Sequence, residues 1–130
     1  MTQLILPLTI PPSVNHLYRR RGNKTFRTRA YQDWITINAI QIGRVKPWRH
    51  YPCRIRLTIY GGKGWTVSRD LDNSLKAVLD LLQHLQILAE DNTKHVHGVE
   101  VVYQPPLGAK QDAWAECVIY RGGGRGCDQG

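Results

Sequence analysis

The stretch Cys53-Arg54-Ile55-Arg56-Leu57-Thr58-Ile59-Tyr60 decides the fold class. Cys53, Ile55, Leu57 and Ile59 fall on one side of an extended chain, and Arg54, Arg56, Thr58 and Tyr60 fall on the other. This period of two marks a strand with one buried face. Downstream the period changes. Leu75, Val78, Leu79, Leu82, Leu85 and Leu88 recur at helical spacing, predicting a helix from Asp72 or Asn73 to about Leu88. A strand over His95–Tyr103 and a last strand over Ala113–Arg121 follow, separated by Pro105, Pro106 and Gly108.

Upstream, Gln3–Ile10 is apolar and β-branched and reads as a strand closed by Pro11-Pro12-Ser13. Thr28 is placed to cap a helix running to about Ile42, with Tyr31, Trp34, Ile35, Ala39 and Ile42 at helical spacing and Gly43 and Pro47 ending it. These elements predict one α+β domain over residues 1–121, with a mixed β-sheet and two main helices. Residues 122–130 hold five glycines in nine positions and read as a disordered tail. Gly61-Gly62-Lys63-Gly64 reads as a flexible turn; without GK[ST] at the required spacing it is no phosphate-binding P-loop.

Charge narrows the function class. Over 130 residues, 18 Lys and Arg against 10 Asp and Glu give a formal net charge of +8. That balance favours an anionic partner, nucleic acid or an acidic membrane surface. No apolar run approaches the roughly 18 residues of a membrane span. The first residues lack a basic segment and Pro7 interrupts their apolar run, so a cytoplasmic protein without a membrane association is expected. Cys53, Cys117 and Cys127 form no CxxC pair, and Cys53 and Cys117 read as buried apolar positions.

The basic residues concentrate in one place. Arg19, Arg20, Arg21, Lys24, Arg27 and Arg29 lie close together with Tyr18 and Phe26 among them, and Gly22-Asn23 marks a turn. This stretch reads as a loop or hairpin arm whose cations contact a nucleic-acid backbone. Arg54 and Arg56 fit a solvated sheet face as well as a phosphate contact.

The acids are few, and Asp70-Leu71-Asp72 places two of them on one face of an extended segment. Carboxylates so close repel unless a cation lies between them or one is protonated. Lys76 stands one helical turn beyond Asp72. Such a set suits a hard ion, Mg²⁺ with Mn²⁺ as a substitute, beside a phosphodiester. The plainer reading makes Asp72 or Asn73 a helix cap, Asp70 a surface acid and Lys76 a solvated lysine. Asp91, beside Glu90, lies beyond the helix, some 20 Å along its axis. Spacing therefore proposes a pair and a lysine and leaves a third ligand open.

Arg69-Asp70-Leu71-Asp72-Asn73-Ser74-Leu75-Lys76, followed a helix length later by Glu90-Asp91, resembles the RusA family of Holliday junction resolvases. Pro11-Pro12-Ser13-Val14-Asn15, the trailing arginines and Tyr31 resemble the family's N-terminal signature, and the similarity runs from about Leu4 to Tyr120. The resemblance implies a homodimeric, Mg²⁺-dependent endodeoxyribonuclease that resolves four-way DNA junctions by paired nicks. It implies Asp70, Asp72 and Asp91 as catalytic acids and metal ligands, with Glu90 the substitute for Asp91, Lys76 as the essential lysine, and Arg69 near the DNA. Two other readings stand beside it: a non-catalytic basic nucleic-acid-binding protein, and a nuclease for flaps, replication forks or RNA.

His95 and His97 read as strand-surface residues rather than metal ligands, and His84 as exposed. Trp34 and Trp114 read as core; Trp48 and Trp65 read as candidates for base stacking or a dimer contact.

Overall fold

In chain order the elements are β1 (Gln3–Leu8), β2 (Tyr18–Arg21), β3 (Lys24–Arg27), α1 (Arg29–Ile42), β4 (Cys53–Tyr60), α2 (Leu71–His84), β5 (Val96–Gln104) and β6 (Trp114–Arg121). The computed structural model describes residues 3–12, 17–66, 71–89, 94–108 and 110–122, the Asn73 side chain excepted. A four-stranded sheet runs in the order β1-β6-β4-β5, and β2 and β3 form a separate two-stranded ribbon. β4 pairs antiparallel with β6 and parallel with β5, so the sheet is mixed. Parallel neighbours need a crossover, and α2 is part of the connection between β4 and β5. The α+β class with a mixed sheet and two helices is thus the observed fold.

The alternation in β4 does what its side chains require. Cys53, Ile55, Leu57 and Ile59 are at most 1% exposed and meet Ala115, Cys117 and Ile119 of β6 and Leu6 and Leu8 of β1 in one core. α2 supplies Ala77, Val78, Leu81 and Leu82, and α1 supplies Tyr31, Trp34 and Ile35. The opposite face of the sheet forms a concavity of about 850 Å³ lined by residues such as Arg56, Tyr60, Glu100, Val118 and Tyr120. Arg56 pairs there with Glu100 at 3.3 Å, which supports the sheet-face reading of that arginine.

α1 begins as its sequence dictates: Thr28 Oγ1 accepts the Tyr31 N–H at 3.2 Å, and Gly43, at φ 72°, donates its N–H to the Ala39 carbonyl. One buried polar residue ties this helix to β1. Asn38, fully buried, accepts the Thr9 N–H at 3.0 Å and donates to Thr9 Oγ1 at 2.9 Å and to the Trp34 carbonyl at 2.8 Å.

Four expectations need correction. α2 ends at His84, four residues before Leu88, because Gln86 turns into the left-handed region at φ 59°. The N–H groups of Ile87 and Gln86 then close back on the carbonyls of Leu82 and Gln83, the Schellman pattern that terminates helices. Ile87 and Leu88 still reach the core, each 1% exposed, but from the turn. Trp114 is 37% exposed, because the core-facing positions of β6 are Ala115, Cys117 and Ile119; its ring stacks on Tyr60, centroids 4.4 Å apart. Trp48, expected to be open, is buried, its indole N–H on the His50 carbonyl at 3.1 Å. The Gly61–Gly64 turn is pinned rather than loose: Lys63 N–H donates to the Gln111 carbonyl and Ala113 N–H to the Lys63 carbonyl, each at 2.9 Å. A Cβ on Gly62 would collide with the Gln111 carbonyl, and Gly62 also sits at φ 150°.

Cys53 and Cys117 are both buried free thiols, and burial raises their pKa values to about 11 and about 12. Trp34 is buried and donates its indole N–H to the Thr9 carbonyl at 3.0 Å. The glycine-rich tail from position 123 onward and Cys127 lie outside the described residues.

Candidate active-site helix and basic arm

α2 opens with Leu71 and Asp72, and its amphipathic pattern turns one stripe into the core and another outward. On the outward stripe Asp72, Lys76 and Asp80 recur every four residues, so they share one side of the helix. Together with Leu75 and Leu79 they line a shallow concavity of about 240 Å³. Asp72 and Lys76 are exposed and Asp80 is half-buried. Asp70, Asp91, Glu90 and Arg69 lie outside the described residues, so the spatial relation of the predicted acids to Asp72 is not part of the geometry. Among the described residues, no three His, Cys, Asp or Glu side chains form a group that could hold a metal.

Two tyrosines from elsewhere in the chain converge on this helix. Tyr18, first residue of β2, donates its hydroxyl to Asp80 Oδ2 at 2.7 Å, and Tyr31 of α1 donates to the same oxygen at 2.8 Å. The two rings meet edge to face, centroids 5.6 Å apart. Lys76 Nζ lies 5.6 Å from the centroid of the Tyr18 ring, within cation–π range. Burial, reinforced by the hydrogen bond to Asp80 and its negative charge, pushes both phenols above their ordinary pKa. They are therefore neutral donors at any physiological pH.

The arginine-rich stretch is a hairpin. Tyr18 pairs with Arg27, Arg19 with Phe26, Arg20 with Thr25 and Arg21 with Lys24. Arg19, Arg20, Arg21 and Lys24 are exposed on this ribbon. Arg27 lays its guanidinium 5.5 Å from the centroid of Tyr31. Arg29 stands at the start of α1 and pairs with Asp33 at 3.6 Å, an exposed pair of little energetic weight. The structure thus brings Lys76 of the predicted site to Tyr18, at the foot of the predicted arm, with Asp72 one helical turn away on the same side of α2.

Sequence reasoning missed Asp80, Tyr18 as its donor, and Asn38. The four-residue spacing from Asp72 through Lys76 to Asp80 was a usable signal, whereas nothing local links Tyr18 to a residue 62 positions away. His84 and His97 are exposed, and His95 sets its ring edge-on to Tyr51 at 4.8 Å, consistent with surface and packing roles. Trp65 is half-buried and lies near-parallel to Tyr103, centroids 6.2 Å apart.

No protein-family model matches the chain, and no curated protein matches it in sequence.

Proposed function

We propose that the chain is a Mg²⁺-dependent, structure-selective endodeoxyribonuclease that resolves four-way DNA junctions by paired nicks, acting as a cytoplasmic homodimer. The observation that carries the reading is the placement of Lys76 one turn after Asp72 on α2, against the tyrosine at the foot of the basic ribbon. A lysine against a ring and beside a carboxylate, next to a ribbon of exposed cations, suits a phosphodiester brought to that helix.

The donor chemistry fits the implied ion. In the concavity on α2 the anionic donor beside Lys76 is the Asp72 carboxylate, with no histidine or thiol among the lining residues; Asp80, two turns further along the helix, already accepts both tyrosine hydroxyls. Hard oxygen donors of this type suit Mg²⁺, with Mn²⁺ as a substitute. Asp72, with Asp70 and Asp91 as the further proposed ligands, would hold it. When bound, the ion offsets carboxylate–phosphate repulsion and activates water. Lys76 donates toward the scissile phosphate and stabilises charge gained in the transition state. Tyr18 limits where that ammonium can go. Arg19, Arg20, Arg21, Lys24, Arg27, Arg29 and Arg69 supply the sequence-independent attraction that holds a branched DNA.

A homodimer suits a substrate with two symmetry-related strands. The exposed outer face of the sheet supports it: Ile5, Val118, Arg56 and Glu100 lie in one row across the four strands, offering a second copy apolar area beside the Arg56–Glu100 pair. Among the described residues no helix is long and apolar enough to cross a membrane.

The test is cleavage of a labelled four-way junction, with Mg²⁺ or EDTA, by wild type and Asp72→Asn, with a matched linear duplex as control. Paired nicks only with metal, wild type and junction support the reading. Binding without cleavage under Mg²⁺ and Mn²⁺ alike would replace it with a non-catalytic DNA-binding protein. Equal cutting of flaps or forks would move the substrate while keeping the chemistry.

A further inference from the structure

The β2–β3 ribbon has two faces, and its register assigns residues to them. Partners directly opposite in an antiparallel ladder share a face, and neighbours along a strand alternate. Tyr18, Arg20, Thr25 and Arg27 therefore share one face, and Arg19, Arg21, Lys24 and Phe26 share the other. The first is turned to the helices, because Tyr18 bonds Asp80 of α2 and Arg27 covers Tyr31 of α1. The second faces away from them.

That outward face has an unusual composition. Phe26, the chain's one phenylalanine, is 48% exposed directly opposite Arg19, while Arg21 stands opposite Lys24. A two-stranded ribbon has no core of its own for a phenylalanine to fill, and among the described residues the ion pairs are Arg29–Asp33 and Arg56–Glu100. A ring with cations around it matches a base with its flanking phosphates: the base offers a π-face and the phosphates offer charge. The spacing agrees. Arg19 and Arg21, two residues apart on a strand, are separated by about 7 Å, the axial span of two nucleotides of one DNA strand.

We propose that this outward face binds DNA, with Phe26 stacked on a base unpaired at the branch point and Arg19, Arg21 and Lys24 on the phosphates beside it. The inference rests on the DNA-junction reading above and names the residue that would make binding selective for a branch. A linear duplex keeps its bases stacked and gives Phe26 no face to cover, whereas a branch point relieves that stacking at low cost.

The experiment measures binding rather than cleavage, so it stands apart from the catalytic reading. Fluorescence anisotropy at one fixed salt concentration compares wild type, Phe26→Ala, Phe26→Leu and Phe26→Trp on a four-way junction and on a linear duplex of the same length. The expected result is about a tenfold loss for Phe26→Ala on the junction, a similar loss for Phe26→Leu, retention for Phe26→Trp, and little change on the duplex. A 2-aminopurine at the branch point should be quenched by wild type and Phe26→Trp only. Arg19→Gln should flatten the salt dependence by about one unit of slope while Phe26→Ala leaves the slope unchanged. Full affinity in Phe26→Leu or Phe26→Ala, or an equal loss on the duplex, overturns the inference while leaving the junction reading intact. A changed oligomeric state of Phe26→Ala in sedimentation also overturns it, making the face a contact between copies. Failure of wild type to bind either DNA sinks both.

Discussion

The Tyr18 hydroxyl donates to Asp80 Oδ2 at 2.7 Å and so joins the foot of the basic ribbon to the helix that carries Asp72 and Lys76. Tyr31 brings α1 to the same oxygen at 2.8 Å. Three elements distant in sequence are thus held by one carboxylate.

Asp80→Ala leaves both hydroxyls without that acceptor. A loss of about 2 kcal/mol is expected, since each part-buried donor left unmatched is costly. Urea unfolding should show a lower midpoint at an unchanged slope. Asp80→Asn keeps an oxygen for the two hydroxyls and should recover part of the loss; an Ala variant as stable as wild type would show that the carboxylate holds nothing together.

Alkaline pH should unfold the protein by a calculable route. Burial, with Asp80 adding to it, raises both phenols above 10.0, and burial raises the Cys53 and Cys117 thiols from 9.0 to about 11 and about 12. Each group keeps its proton longer when folded than when unfolded, so the unfolded chain binds fewer protons above those reference values. The stabilisation is complete below pH 9 and falls as pH rises through 9 for the thiols and through 10 for the phenols. Unfolding free energy against pH, with phenolate absorbance in native and urea-unfolded protein, checks it. Two phenols should ionise later in the native state, and coincident titrations would refute the assignment.

Asp72→Asn and Lys76→Ala should each lower junction cleavage by at least about a hundredfold while junction affinity changes little, as expected for groups that act mainly on the transition state. Their exposure on α2 predicts stability changes within about 0.5 kcal/mol. Affinity lost in proportion to cleavage would instead make them binding residues.

Gln86→Gly should stabilise the fold by about 0.5–1 kcal/mol, because a side chain is strained in the left-handed conformation that terminates α2. The gain is partly offset by glycine's greater freedom in the unfolded chain. A thermal midpoint below that of wild type would show that Gln86 makes contacts worth more than its strain.

Asn38→Leu removes three hydrogen bonds from a fully buried site and leaves the Thr9 N–H without its side-chain acceptor. A loss of about 2–3 kcal/mol is expected, read as earlier urea unfolding. Exchange of the Thr9 amide should rise more than that of β4 amides if the lost contact loosens β1 first.

Periodicity makes much of the architecture legible in the sequence. The Cys53–Tyr60 alternation, the leucines of α2 and the Thr28 cap all act within a few residues, and their buried or exposed faces follow from local geometry. The failures were also local in origin. Trp114 stands one position out of phase with Ala115, Cys117 and Ile119, and α2 stopped early because Gln86 took the conformation usually given to glycine. Apolar character alone signals neither.

By itself the sequence determined the α+β class, the strand and helix faces, a cationic arm and the Asp72–Lys76 spacing, because each depends on contacts between near neighbours or on composition. Only the tertiary structure decided that β4 and β5 are parallel, that Asn38 anchors Thr9, and that Tyr18 reaches Asp80 beside Lys76. These contacts close long loops, and their partners are chosen by the packing of whole elements, which leaves no periodic trace along the chain.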